Sequence, residues 1–349
     1  MAQPQHTEAW LEQVRRAVEQ ALEELLEPWR EELRAASPHG EALLAPFADL
    51  VLRGGKRLRP ALAAAAFTAA GGTEDEAVAR GLGRLGAALE LLQGYLLVHD
   101  DWMDGDLVRR GGPAVHAVFR EQTGARHLGD ALGVVAGDLG CLLAWRALLS
   151  VRFPERRTEA ALGRWSVMQQ EVLLGQQLDL LGHPDSALVH QLKTGSYTVR
   201  GPLVLGALLA DAEPPLLDAL ERFGTPLGEA FQLRDDLLGT FGDPRRTGKP
   251  VGADLLAGKR TAIVEEAERQ LSEADRAPLW RVLARPEAGE GELRDAVELL
   301  ERSGVRAAVE ARAEARLAEA LEALERAPVT DEGRARLRWL AERMVRREA

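Results

Sequence analysis

Leu82, Leu85, Leu89, Leu92 and Leu96 recur at steps of three and four, which puts all five side chains on one stripe of an α-helix. A stripe that long has to be covered, so the segment is one wall of a core. Helical spacing dominates the rest of the chain as well. Aromatic residues make up only 5%, and no run of alternating β-branched residues lies between hairpin turns, so strand signals are weak. The expected fold class is all-α. Breaks such as Gly71-Gly72, Gly111-Gly112-Pro113, Gly182-His183-Pro184, Glu213-Pro214-Pro215 and Arg285-Pro286 divide the chain into helices joined by short loops. With no long Gly/Ser/Pro linker and no shift in composition, residues 1–349 are expected to form a single large helical domain. Residues 305–349, rich in Ala, Arg and Glu with opposite charges three or four apart, read as a solvated helix pair without chemistry of its own.

Charge and composition exclude several classes of function. The chain carries 44 Lys+Arg against 55 Asp+Glu, a net charge of −11, so no nucleic-acid partner held by bulk electrostatics is expected. The lone Cys141 cannot make an intramolecular disulfide, and no His/Cys cluster offers a zinc-ligand set, which fits a reducing, cytoplasmic location. Residues 1–16 contain Glu8, Glu12 and Arg15 without an apolar run, unlike a secretory signal. The most apolar stretches, 61–70 and 203–210, fall short of the roughly 18 residues a membrane-crossing helix needs, so no transmembrane segment is expected.

Two acidic clusters share an order of residue types. Asp100-Asp101-Trp102-Met103-Asp104 leads to Arg109-Arg110-Gly111, and Asp235-Asp236 leads to Asp243 and Arg245-Arg246-Thr247-Gly248. Each pair follows an apolar helical pattern, which places it at a helix C-terminal end. Negative charge there opposes the macrodipole and neighbouring carboxylates repel, so a bound cation would relieve both penalties. Asp100 and Asp104 lie on one face with Asp101 about 100° round, and an all-oxygen ligand set favours Mg2+ or Mn2+. Arg pairs just beyond such a site point to a polyanionic ligand, a diphosphate above all. Lys is scarce, yet Lys56, Lys193, Lys249 and Lys259 all sit in Gly-, Thr- or Pro-flanked segments suited to phosphate contacts. Gly54-Gly55 lets the backbone approach an anion, but the Gly-Lys-Ser/Thr ending of a P-loop is missing, which argues against a nucleotide triphosphatase.

Taken in order, these segments resemble the trans-isoprenyl diphosphate synthases, or polyprenyl synthetases. Gly54-Gly55-Lys56-Arg57-Leu58-Arg59-Pro60 is similar to that family's GGKRLRP segment, and Asp100 to Asp104 with Arg109-Arg110-Gly111 to its first aspartate-rich motif. Gly175-Gln176 with Asp179 resembles its GQxxD segment, and Lys193-Thr194 its KT segment. Phe231-Gln232-Leu233-Arg234-Asp235-Asp236 resembles the second aspartate-rich motif, followed by Gly248-Lys249-Pro250 and Gly258-Lys259-Arg260-Thr261. By motif the likeness spans about residues 40 to 265. It implies helices around a deep central cavity with the two motifs facing each other across its mouth, a homodimer, and head-to-tail transfer of an allylic diphosphate onto isopentenyl diphosphate.

The resemblance also implies a site. Mg2+, three per active site with Mn2+ as an alternative, would be held by Asp100, Asp104 and Asp235, with Asp101, Asp236, Lys193 and Lys249 completing the catalytic set. Arg109, Lys193, Thr194, Gln232, Lys249 and Lys259 would bind the allylic diphosphate. Lys56, Arg59, Arg110 and Gln93, seven residues before the first Asp, would bind isopentenyl diphosphate. Tyr95, with Leu96 and Leu92, would set product length: an aromatic five residues before the motif, with no insertion between the aspartates, is the pattern of geranylgeranyl diphosphate synthases, while the non-aromatic Leu96 argues against a farnesyl stop. One departure is Gly239, where many relatives carry a third Asp, so weaker metal binding is expected there. Rival readings are a farnesyl or longer-chain synthase, a class I terpene cyclase, and a non-catalytic partner subunit. A cyclase would usually carry an Asn/Ser/Glu triad as its second motif, and a partner subunit normally loses one aspartate motif.

Overall fold

The computed structural model describes residues 2–73, 75–243 and 251–346, with 2–5 described by backbone alone. The fold is all-α, as its periodicity predicts. Backbone proximity groups it into two compact units, Met1–Leu162 with Gly206–Asp211, and Gly163–Leu205 with Ala212–Ala349.

The first unit contains α1 (Ala2–Ala36), α2 (Gly40–Leu52), α3 (Leu58–Ala69), α4 (Glu76–Asp104), α5 (Val115–Thr123) and α6 (Arg126–Leu149). Helix α4 is the leucine-striped segment. Asp75 caps it, accepting from Val78 N at 2.8 Å, and Gly105 ends it in the left-handed region at φ 74°. Leu85, Leu89 and Leu92 are fully buried. Helix α6 packs along α4, and its glycines meet different neighbours, Gly137 against His99 of α4 and Gly133 against His116 of α5. At Gly140 a Cβ would lie 2.3 Å from Phe47 of α2, so only glycine admits that ring.

Helix α6 corrects the expectation of no membrane-length segment. Its 24 residues are long and apolar enough to cross a membrane by length and composition, with 44% of the apolar window buried inside the protein. No uninterrupted apolar run marks this segment, because isolated Asp130 and Asp138 interrupt a helix rich in Gly, Ala, Val and Leu. Packing against α2, α4 and α5 is the behaviour of a core helix. A two-residue hairpin, β1 (Val108–Arg109) paired antiparallel with β2 (Gly112–Pro113), is too short for any periodicity to announce.

Helix α7 (Glu155–Leu180) runs from the first unit into the second. There follow α8 (Ser186–His190), a π-helical segment (Gln191–Arg200), α9 (Gly201–Leu209), α10 (Pro214–Phe241), α11 (Ala253–Leu256), α12 (Ala262–Gln270), α13 (Ala277–Val282), α14 (Glu290–Arg302), α15 (Val305–Arg326) and α16 (Asp331–Val345). The C-terminal pair α15 and α16 is more than a solvated appendage. Val309, Ala313, Leu317, Ala320 and Leu324 of α15 are buried, and α15 packs along α10. Arg312 and Arg316 of α15 both pair with Glu229 of α10, at 2.6 and 2.9 Å.

Candidate functional site

In the first unit, Asp100, Asp101 and Asp104 occupy the last turn of α4, as their spacing predicts. They are not equivalent. Asp100 is half-buried and Asp104 exposed, while Asp101 is fully buried and grips Arg109, its Oδ1 accepting from Nε at 2.7 Å and from Nη2. Arg109 also donates to Asp106 at 3.1 Å. Burial pushes the Asp101 carboxyl up to about 6, against the downward pull of Arg109. Asp101 Oδ2 is buried with no hydrogen-bond partner.

The arginine pair leaves α4 on the hairpin, whose central residues Arg110 and Gly111 both have positive φ, 52° and 72°, the geometry of a type I′ turn. Arg110 thereby donates from Nη1 to Leu50 O at the end of α2, at 3.2 Å. Arg53 pins the hairpin from below, donating from Nη1 to Arg109 O at 3.0 Å and Pro113 O at 2.9 Å. Gly112 makes that possible, because a Cβ there would sit 2.5 Å from the Arg53 guanidinium carbon.

The 54–57 loop and the first turn of α3 join the same cluster. Lys56 is exposed, Arg59 half-buried, and Arg57 buried with φ 49°. Arg110 is held below the usual arginine range by burial and by Arg57, Arg59 and Arg109 nearby, with Glu90 pulling the other way. Arg59 is therefore near enough to Arg110 for its charge to act there. Gln93, 8% exposed, lies three residues beyond Glu90 on α4, and its Oε1 is buried without a partner.

Leu92 is fully buried, Tyr95 6% exposed and Leu96 half-buried. The Tyr95 ring stands edge-on to His99, centroids 5.3 Å apart. His99 reaches α6, its Nε2 lying 3.1 Å from Val134 O and 3.7 Å from Asp138. Burial pushes the Tyr95 hydroxyl up to about 12, with Cys141 and Asp138 of α6 adding to the shift. Tyr95 accordingly sits on the α6 side of α4.

In the second unit, Asp235 and Asp236 do not end their helix. Helix α10 continues to Phe241, because Gly239 and Thr240 keep helical geometry and the chain turns extended only at Gly242. The dipole penalty expected for this pair is correspondingly smaller, since it fades beyond the last turn. Asp236 is 3% exposed and fully engaged. Its Oδ1 accepts from Gln232 Nε2 at 2.8 Å and its Oδ2 from Ala262 N at 3.0 Å, with His190 Nε2 at 3.5 Å. Asp235 is half-buried. Both motifs thus bury their second carboxylate as a tether and leave the first nearer to solvent.

Lys193 and the half-buried Thr194 lie on the π-helical segment, a geometry common at functional sites. Lys193 Nζ donates to Asp179 of α7 at 2.6 Å. Gly175 permits the contact, as a Cβ there would lie 2.2 Å from Lys193 N. Lys259 is half-buried, its N–H donating to Asp254 O at 3.0 Å. Lys249, with Arg245 and Arg246, lies outside the described residues. The gap left by Gly239 is filled: a Cβ there would fall 1.8 Å from Asp254 Oδ2, so a carboxylate from α11 occupies the space of a larger side chain. Spacing along the chain gave no sign of this. A sign of Glu90 was available, a lone carboxylate in the otherwise apolar run from Leu85 to Leu92.

Among the described residues, no group of three or more His, Cys, Asp or Glu side chains converges to hold a metal unaided. Oxygen donors, with a buried unpartnered carboxylate oxygen on Asp101 beside Asp100 and Asp104, fit a hard cation that takes its remaining ligands from a diphosphate and water.

Comparison with known proteins agrees. A protein-family model described as polyprenyl synthetase matches residues 41–300. A short chain isoprenyl diphosphate synthase of Methanocaldococcus jannaschii is 30% identical over 285 residues, covering 80% of this chain and 82% of that one. A (2E,6E)-farnesyl diphosphate synthase of Mycobacterium tuberculosis is 34% identical over 304 residues, covering 84% and 80%. The structure of geranylgeranyl pyrophosphate synthase from Corynebacterium glutamicum, complexed with isoprenyl diphosphate and magnesium, matches with a TM-score of 0.90 at 31% identity over 97% of this chain and 99% of that one.

Proposed function

This chain belongs to the polyprenyl synthetase family, and from that premise we propose that its product is geranylgeranyl diphosphate. It is an isoprenyl diphosphate synthase, a prenyltransferase of isoprenoid biosynthesis working by head-to-tail transfer. The relatives differ in product, so their names do not choose a length. What carries the C20 reading is Tyr95, a buried aromatic five residues before Asp100 with the smaller Leu96 after it. Incubating the protein with isopentenyl diphosphate, Mg2+ and each allylic primer, then sizing the dephosphorylated products, tests it. A dominant farnesyl or C25 product would overturn the length. A cyclised hydrocarbon would overturn the reaction itself.

In this reading Lys56, Arg59, Arg110 and Gln93 bind isopentenyl diphosphate, which the clustering of Arg59 and Arg110 supports. Arg109, Lys193, Thr194, Gln232, Lys249 and Lys259 bind the allylic diphosphate. Asp101 and Asp106 engage Nε and Nη2 of Arg109, so the guanidinium is oriented with Nη1 left for the ligand. Asp100, Asp104 and Asp235 would hold Mg2+, about three ions per site with Mn2+ able to substitute, and the metal would supply charge that stabilises a departing diphosphate. The isopentenyl double bond attacks the allylic cation, and the adduct loses its proton to the departed diphosphate. Apolar side chains such as Leu92 keep water from the cation.

The reading also includes one domain, a cytoplasmic location in keeping with the single Cys141, and a homodimer. Support for the dimer comes from α6. Leu128, Val135, Leu142 and Leu149 recur every seven residues along it and are 50%, 48%, 56% and 56% exposed, an apolar stripe suited to a second copy. Val135→Glu with Leu142→Glu should give monomers in sedimentation, and an unchanged assembly would remove that support.

A further inference from the structure

We propose that Glu90 is a positioning residue for the isopentenyl diphosphate site, the buried counter-charge that holds the 54–57 loop and the start of α3 ready for the ligand. The proposal rests on the assignment of Lys56, Arg59, Arg110 and Gln93 to that diphosphate. Glu90 is buried on α4 to one side of the leucine stripe, 3% exposed, where an unpaired carboxylate would be costly. Arg57 answers it. One nitrogen, Nη1, donates to Glu90 Oε2, and the other, Nη2, donates to Val51 O at 3.2 Å. The two side chains are 0% and 4% exposed.

A pair so buried is weak evidence of stabilisation, since a well-packed apolar replacement often does as well. What it fixes is direction. Arg57 stands in the left-handed region at the start of α3, φ 49° and ψ 38°, a conformation that costs a non-glycine residue unless its surroundings enforce it. With Arg57 turned into the protein and tied to α4, Lys56 is directed outward and Arg59 falls on the first turn of α3. Release of Arg57 frees both neighbours.

Charge gives a second reason. Arg57, Arg59 and Arg109 are each close enough to act on Arg110, and Glu90 opposes them there. The end of α2 adds to this floor: its carbonyls at Leu50 and Val51 accept from Arg110 and Arg57, where the helix dipole is negative. Glu90 and these carbonyls keep the cations convergent before any diphosphate arrives. Gln93 projects from the same face of α4 one turn on.

The test compares Glu90→Gln, Arg57→Lys and Lys56→Ala by KM for each substrate, kcat and melting temperature. Glu90→Gln keeps shape but loses the charge, and should raise KM for isopentenyl diphosphate about tenfold, leaving KM for the allylic substrate and kcat within a few-fold. Arg57→Lys should give a smaller rise of the same kind, and decides the question if Glu90→Gln does not fold. Glu90→Gln combined with Lys56→Ala should raise that KM by less than the product of the single effects. A role in folding alone would move both KM values together or only the melting temperature, and that outcome overturns the proposal. An unchanged or lowered KM for isopentenyl diphosphate overturns it too. If Lys56→Ala splits the two KM values and neither Glu90→Gln nor Arg57→Lys does, positioning fails while the site assignment stands. If Lys56→Ala does not split them, the assignment fails and the proposal with it.

Discussion

Truncating Tyr95 to alanine should lengthen the product. The ring is 6% exposed and lies five residues before Asp100, roughly 7.5 Å down α4, with Leu92 roughly 12 Å down, so the variant gains about 4.5 Å of depth, the scale of one five-carbon unit. Removing the phenol opens on the order of 100 Å³, which at roughly 24 cal/mol per Å³ is a cavity penalty of about 2.4 kcal/mol within a total loss of about 3–5 kcal/mol. A product chain filling that cavity should return part of the loss, so the variant's melting temperature should rise more than wild type's with long-chain product present. Sizing of dephosphorylated products should show C25 and longer chains, with the first condensation within a few-fold of wild type. Tyr95→Phe keeps the ring and should keep the wild-type distribution. An unchanged distribution in folded Tyr95→Ala would refute the reasoning and leave Tyr95 as a core aromatic packed on His99 and α6.

Asp100→Ala or Asp235→Ala should nearly abolish turnover while the fold persists, and each should lose most of the thermal shift that wild type shows in Mg2+ plus diphosphate; turnover within a few-fold of wild type would sink the metal assignment. Lys56→Ala or Arg59→Ala should raise KM for isopentenyl diphosphate more than KM for the allylic substrate, and equal effects would contradict the division of the two diphosphates. His116 is fully buried with neither ring nitrogen hydrogen-bonded, and burial, helped by Arg120, holds its pKa below the ordinary 6.5. Its contribution to stability is therefore present above the unfolded value and lost as pH falls below it, at up to about 1.4 kcal/mol per pH unit. Denaturant melts from pH 7.5 to 5.5 should show this slope, and His116→Gln should flatten it; identical slopes would mean another group is responsible.

The helices and the order of the motifs were legible in the sequence because both are local properties. A step of three or four residues defines a helix face wherever the helix ends up, so the stripe on α4 and the placement of Asp100 and Asp104 in its last turn followed from spacing. Oxygen-only donors beside arginine pairs likewise announced a cation and a polyanion. The partners of each charged group were decided elsewhere. Asp100 and Asp101 are neighbours in sequence, yet only Asp101 is sealed against Arg109, because a two-residue hairpin with positive φ at Arg110 turns the arginine back onto it. Gly239 read as a missing ligand, and the fold puts the carboxylate of Asp254 into the space it leaves. Arg57 looked like one more cation in a phosphate loop until α4 brought Glu90 beneath it. Helix α10 runs past Asp236 to Phe241 although the apolar pattern stops before it, because a helix end depends on what caps and covers it. A charge's partner is set by distance through space, and in these cases by residues 8 to 33 positions away, a separation that no helical period encodes.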